Sequence, residues 1–173
     1  MPLTKLNSAS VIERLPTGSV IQTNMASSNV RKNSASTSWV DTGLISLTFA
    51  NNLQANSKVL VRFHTTTGEA NLQSNWAAAL WLSIFENSTN LGDSSIGLAG
   101  QGNTWDNADN SNAVYTSERV SGELLFTPSV NNGTYTLQMR CQTASTKTVG
   151  GTNNTHANLA YGNTQVIIQE IKG

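Results

Sequence analysis

Charge is what this sequence most lacks. Only 12% of its residues are Asp, Glu, Lys or Arg, about half the usual share, and the ten basic and ten acidic residues cancel. Phosphate recognition needs clustered Lys and Arg, so a nucleic-acid groove is not expected. The same scarcity argues against a polybasic membrane anchor and membrane insertion. Long apolar runs are also missing: no segment reaches the roughly 18 apolar residues of a membrane span. The opening Met1-Pro2-Leu3-Thr4-Lys5-Leu6-Asn7-Ser8 lacks the apolar run of a signal peptide. A single cysteine, Cys141, rules out an intrachain disulfide. Small secreted domains often use disulfides, so synthesis in a reducing cytoplasm is expected. The strong helix formers are too few for a helical protein, and no solenoid repeat is visible.

In their place stands a polar, uncharged chain. Asn, Ser, Thr and Gln make up about four residues in ten. The length of 173 residues suits one domain. A hydrophobic share of 38% is enough for a core if strands carry it in alternation. Three sequons, at Asn87, Asn132 and Asn153, are expected by chance in such a composition and are read as unmodified.

The hydrophobic pattern has period two. From Thr134 to Thr143, Tyr135, Leu137, Met139 and Cys141 alternate with polar residues. Trp39 to Phe49 repeats the pattern with Ile45, Leu47 and Phe49, and Lys58 to Thr66 with Val59, Val61 and Phe63. Val120 to Phe126 puts Val120, Leu124 and Phe126 opposite Ser121 and Glu123. Trp76 to Phe85 is apolar on both faces. Its Trp, Ile and Phe favour a strand, and no capping box precedes it to start a helix. Thr164 to Ile171 is also two-sided, so both segments are expected centrally in a sandwich or at a subunit interface. Gly18 to Gln22 reads as a short first strand, and Asn131-Asn132-Gly133 as a tight turn with positive φ. Residues Gly97 to Asn112 read as the longest irregular segment. Seven or eight strands at such spacing predict an all-β sandwich or barrel.

Chemistry-bearing residues are sparse. His64 and His156 have no carboxylate at ligand spacing, so no metal or catalytic triad is expected. Cys141 falls on the inward face of its strand and reads as a buried hydrophobe. Asp106-Asn107-Ala108-Asp109-Asn110 brings oxygen ligands together but lacks the downstream Glu and register of a calcium loop. No pair stands out among Glu86, Asp93, Glu118 and Glu123 for glycoside cleavage. Trp105, in a polar loop, is the one aromatic placed as a contact anchor.

Four segments together carry a resemblance. They are Leu15-Pro16-Thr17-Gly18-Ser19-Val20-Ile21-Gln22, then Ser36-Thr37-Ser38-Trp39-Val40-Asp41-Thr42-Gly43-Leu44, then Ser57-Lys58-Val59-Leu60-Val61, and finally Asn163-Thr164-Gln165-Val166-Ile167-Ile168-Gln169-Glu170-Ile171. This order resembles small bacteriophage virion proteins, especially the tail-fibre-like proteins of marine and cyanobacterial phages. The resemblance covers about residues 15 to 173 and carries over no catalytic residue. It implies a jelly-roll β-sandwich of the tumour-necrosis-factor and complement-C1q type, assembled as a homotrimer. No long fibre shaft accompanies it.

The function expected is therefore a non-enzymatic structural protein on the virion surface, made in the host cytoplasm and needing no cofactor. A tail-fibre tip would offer Trp105, Asp106 and Asp109 to a host surface glycan. A capsid decoration protein would instead bridge shell subunits, and a free carbohydrate-binding lectin is a third reading. Residues 1–15 are expected to form an attachment arm, with Leu3, Leu6, Val11 and Ile12 ordering against another fibre, tail or capsid protein. Residues 16–173 form the jelly-roll domain in this reading.

Overall fold

The computed structural model describes residues 15–69, 77–104, 116–142, 147–151 and 162–173. Among them are eleven strands and no helix: β1 (Val20–Ser28), β2 (Lys32–Ser34), β3 (Val40–Leu47), β4 (Lys58–Glu69), β5 (Ala77–Glu86), β6 (Thr89–Asn90), β7 (Ala99–Thr104), β8 (Thr116–Phe126), β9 (Tyr135–Cys141), β10 (Lys147–Val149) and β11 (Thr164–Ile171). Every pairing is antiparallel, and the strands form two sheets.

Several short strands are pieces of one line. β4 pairs along one edge with β8, and along the other with β11 and then β10. Val149 lies opposite Thr67, the Gly150 amide donates to the Thr66 carbonyl, and Gln165 lies opposite His64. β10 and β11 are thus one strand line that leaves the sheet after Gly150 and resumes at Thr164. β1 and β2 pair with its two halves and form the edge. In the second sheet β6 and β7 share the free edge of β5 in the same way. Counted as lines in chain order, the first sheet runs 1-8-3-6 and the second 2-7-4-5.

The core between the sheets follows the period-two pattern. β9 alternates fully between buried and half-buried positions, and Tyr135, Leu137, Met139 and Cys141 are all buried. Val59, Val61 and Phe63 of β4 and Val166 and Ile168 of β11 face them from the other sheet. Phe49 and Phe126 meet the Tyr135 ring edge-on at 6.0 and 6.3 Å. Trp76 to Phe85 is a strand from Ala77 onward, and both two-sided strands are central: β5 lies between β9 and β7, and β11 between β1 and β4.

Within β5 the second apolar face is covered by the chain itself. Residues 91–98 fold over it: Trp39 packs against Phe85 at 5.8 Å and donates its indole N–H to the Ser94 carbonyl. Arg140 lies 5.3 Å from the Trp81 ring and donates to the Ser95 carbonyl. Asp93 receives the amides of Ser95 and Ile96, and these hydrogen bonds hold its carboxyl below the usual range.

Three expectations are corrected. The first strand is nine residues long and not the short Gly18–Gln22 segment. Its inward face is held by amide hydrogen bonds, from Gln22 to Glu170 and from Asn24 to the Thr48 carbonyl, so it shows little apolar alternation. Gly97–Asn112 is not irregular throughout, because Ala99–Thr104 forms β7. Gly100 there has a packing reason: a Cβ would lie 2.6 Å from the Trp81 ring and 2.9 Å from the Leu80 carbonyl oxygen. The Asn131-Asn132-Gly133 turn joins the two sheets without positive φ; among the described residues the non-glycine positions with positive φ are Asn56 and Asn87. Gly133 is small because a Cβ would lie 2.8 Å from the Glu86 side chain.

Candidate functional site

The sandwich has two unlike ends. At one, the chain entry and exit are stitched together: Gly18 donates to the Lys172 carbonyl, the Lys172 amide to Ser19, and the Lys172 ammonium to the Leu15 carbonyl. Two buried carboxylates secure this end. Glu170 receives Gln22, the Gln54 amide and the Ser57 hydroxyl at 2.6–2.7 Å. Glu86 receives the amide and hydroxyl of Ser129 and the Tyr135 phenol. The phenol's pKa is raised, first by burial and then by the Glu86 charge.

At the other end β4, β5, β7, β8, β9 and β10 stop, at residues 69, 77, 104, 116, 141 and 147. The connections 70–76, 105–115 and 142–146 therefore leave and return here, as does the β2–β3 turn. The interior becomes polar towards this end. On β4 the inward series Val59, Val61, Phe63 continues as Thr65 and Thr67. Thr65 and Thr164 share a hydroxyl hydrogen bond of 2.6 Å, and Thr67 donates to Gln101. Gln101 is itself buried, and its amide nitrogen has no hydrogen-bond partner. Lys147 is buried beside Val149, and burial pushes its pKa down to about 8. Burial likewise pushes the Cys141 thiol up to about 11, with only partial opposition from the Lys147 backbone amide. That makes it an inert thiol.

A hollow opens on the outer face of the first sheet, towards this same end. It measures about 450 Å³ and is walled by His64, Thr66, Arg119, Ser121, Gly162 and Asn163. The register assembles it: His64 lies opposite Ser121 on one side and Gln165 on the other, and Thr66 lies opposite Arg119. Gly162 rests on the Thr66 side chain so closely that a Cβ would collide with it. A second hollow of about 340 Å³ continues past His64 to Arg62, Glu123 and Ile167. Arg62 and Glu123 form an exposed ion pair at 3.0 Å, which contributes little to stability.

Of the residues singled out from sequence, Trp105, Asp106 and Asp109 lie outside the described residues. So do His156 and the arm positions Leu3, Leu6, Val11 and Ile12. Cys141 is buried and free. The four carboxylates do not converge. Glu86 is committed inside one end, Asp93 ties the 91–98 loop, and Glu118 and Glu123 lie along β8. Among the described residues no cluster of His, Cys, Asp and Glu could hold a metal, and no helix is long and apolar enough to cross a membrane. His64 was legible only as a strand histidine. Its neighbours Ser121 and Arg119 are more than 50 residues away in sequence, and only the β4–β8 register brings them together. Neither a scan against protein-family models nor a search of curated proteins finds a match to this chain.

Proposed function

We propose that this chain is a non-enzymatic structural protein of a bacteriophage particle, a jelly roll that displays its loop-bearing end and is held by the opposite one. The observation that carries the reading is the polarity of the sandwich. Leu15–Ser19 and Lys172 are tied together at the end closed by Glu86 and Glu170. Three long connections and the polar interior lie at the other end. A rigid sandwich with grouped loops is a suitable support for recognition. The line order 1-8-3-6 and 2-7-4-5 supports the jelly-roll form, because apart from the 4–5 hairpin its successive lines alternate between two four-line sheets as in that fold.

In this reading three copies associate through the part of the first sheet's outer face nearest the tied termini, short of the hollow at His64 and Arg119. Met25 and Leu125 are about half exposed there, beside Ile167 and Leu60. The second sheet is the weaker candidate because residues 91–98 already cover β5. Light scattering after size exclusion should give three times the chain mass, and a monomer at micromolar concentration would refute the trimer. Residues 1–15 attach the domain to a fibre, tail or capsid protein, and the loop end meets a host surface glycan. A chain starting at Pro16 should fold normally yet fail to join particles; full occupancy by that chain would refute the attachment role. Copy number separates the two virion roles. A few tens per particle supports a fibre tip, and hundreds supports capsid decoration.

A further inference from the structure

We propose that the hollow beside His64 is a binding site for an acidic saccharide, with Arg119 as the anchor for its anionic group. The site is built from residues other than 105–112 and does not require a phage particle.

The argument begins with charge. Arg62 has its own counter-ion in Glu123. Arg119 has neither a hydrogen-bond nor an ion-pair partner among the described residues, and its side chain is exposed. His64, one rung away, is likewise exposed and unpartnered. His64 and Arg119 are a diagonal pair on β4 and β8, and such side chains stand about 7–8 Å apart. A guanidinium and an imidazole N–H therefore border one hollow, with no carboxylate among the described residues of its wall. A guanidinium fork matches a carboxylate or a sulfate ester with two parallel hydrogen bonds.

The rest of the wall supplies neutral partners for hydroxyl groups. Ser121 offers a hydroxyl and Asn163 an amide, while Gln165 borders the continuation past His64. The volume of about 450 Å³ lies within the ~300–1,000 Å³ of small-ligand sites. A guanidinium with no partner among the described residues, beside a hydroxyl and an amide, fits an acidic sugar unit.

The test is calorimetry or nuclear magnetic resonance titration of the full chain with three oligosaccharide sets: uronate-containing, sulfated and neutral. Binding by an acidic set and not by the neutral set is expected, and the two acidic arms identify the anionic group. Arg119→Ala should weaken that binding about 10- to 100-fold, the range for a lost charged hydrogen bond. Lys58→Ala, which removes one positive charge from an exposed site at the far end of β4, should leave it unchanged. Equal binding of neutral and acidic sets, no binding of either acidic set at millimolar concentration, or equal losses in Arg119→Ala and Lys58→Ala would each overturn the proposal. Glycan binding that survives Arg119→Ala but is lost when residues 105–112 are replaced would overturn this site while supporting recognition by the loop end.

Discussion

Glu170 is the most informative residue to perturb, because a fully buried carboxylate here joins three separate segments. It lies in β11 and receives Gln22 of β1 at 2.7 Å, the Gln54 amide at 2.7 Å and the Ser57 hydroxyl at 2.6 Å. In Glu170→Ala all three donors lose their acceptor. A buried donor without a partner costs about 1–3 kcal/mol. With partial relief by water entering the space, a total of about 3–5 kcal/mol is expected. Domains of this kind are stable by about 5–15 kcal/mol in all, so the variant should be marginal. Glu170→Gln keeps one carbonyl oxygen for Gln54 and Ser57 but turns an NH₂ towards the NH₂ of Gln22. The Gln22 amide can turn over, at the cost of its 3.1 Å bond to the Asn51 carbonyl and of the 3.4 Å bond it accepts from the Asn51 amide. The expected loss is about 1–2 kcal/mol. Urea unfolding at one fixed protein concentration measures both, with an unchanged m-value as the check for a shared folded state. The reasoning fails if Glu170→Ala unfolds within about 0.5 kcal/mol of the wild type. It also fails if Gln and Ala are equally damaging, since hydrogen-bond geometry would then not be the cause.

Cys141 should resist a thiol reagent in the native protein at pH 8, since burial raises its pKa to about 11, and should react promptly in denaturant; equal rates would show that its strand face is misassigned. Burial lowers the Lys147 pKa to about 8 in the folded state, from the ~10.4 of an unfolded chain. Folding therefore works against its charge at neutral pH, and that cost disappears between about pH 8 and 10.4. The wild type should accordingly gain on Lys147→Met across this window, by at most about 1.4 kcal/mol per pH unit. Comparing the two proteins cancels the opposing titrations of Cys141 and Tyr135, and a constant difference would refute the prediction. Gly97→Ala should release residues 91–98 from β5, because Gly97 has φ near 66° and a Cβ would meet the Leu82 carbonyl and the Trp39 ring. Faster hydrogen exchange at Leu98, whose amide donates to Leu82, is the expected readout, and unchanged exchange would count against the packing argument.

Strands whose inner face is apolar were legible in the sequence. β9, the first part of β4 and the end of β3 announce themselves by alternation, and Cys141 follows from its place in that alternation. β1 was legible only at its start, because amides of Gln22 and Asn24 occupy its inner face. β7 was hidden by its glycines, which suit it to lie against Trp81 but give no strand signal. The buried Glu86, Glu170 and Lys147 were hidden for a different reason. A charged residue reads as surface unless its partners are known, and Gln22 lies 148 positions from Glu170. The hollow at His64 depends on pairing between β4 and β8, which local pattern does not specify. The two-sided apolar character of β5 was correctly read as central, but its outer cover comes from Trp39 and residues 91–98, and no second copy is required for it.

The break between β10 and β11 has a consequence for how this protein can change. Val149 points inward, Gly150 sits opposite Thr66, and Thr164 points inward opposite Thr65. Side-chain parity is therefore the same as if residues 151–163 had never been present. Added or deleted residues there would not shift any pairing, and in-out alternation from Val166 onward would be unaffected. A flexible insert adds only its closure entropy, about 0.6 kcal/mol for each doubling in length. The position between Gly151 and Gly162 is thus a register-neutral port, where foreign peptides of varied length can be grafted without disturbing the pairing of β10 or β11.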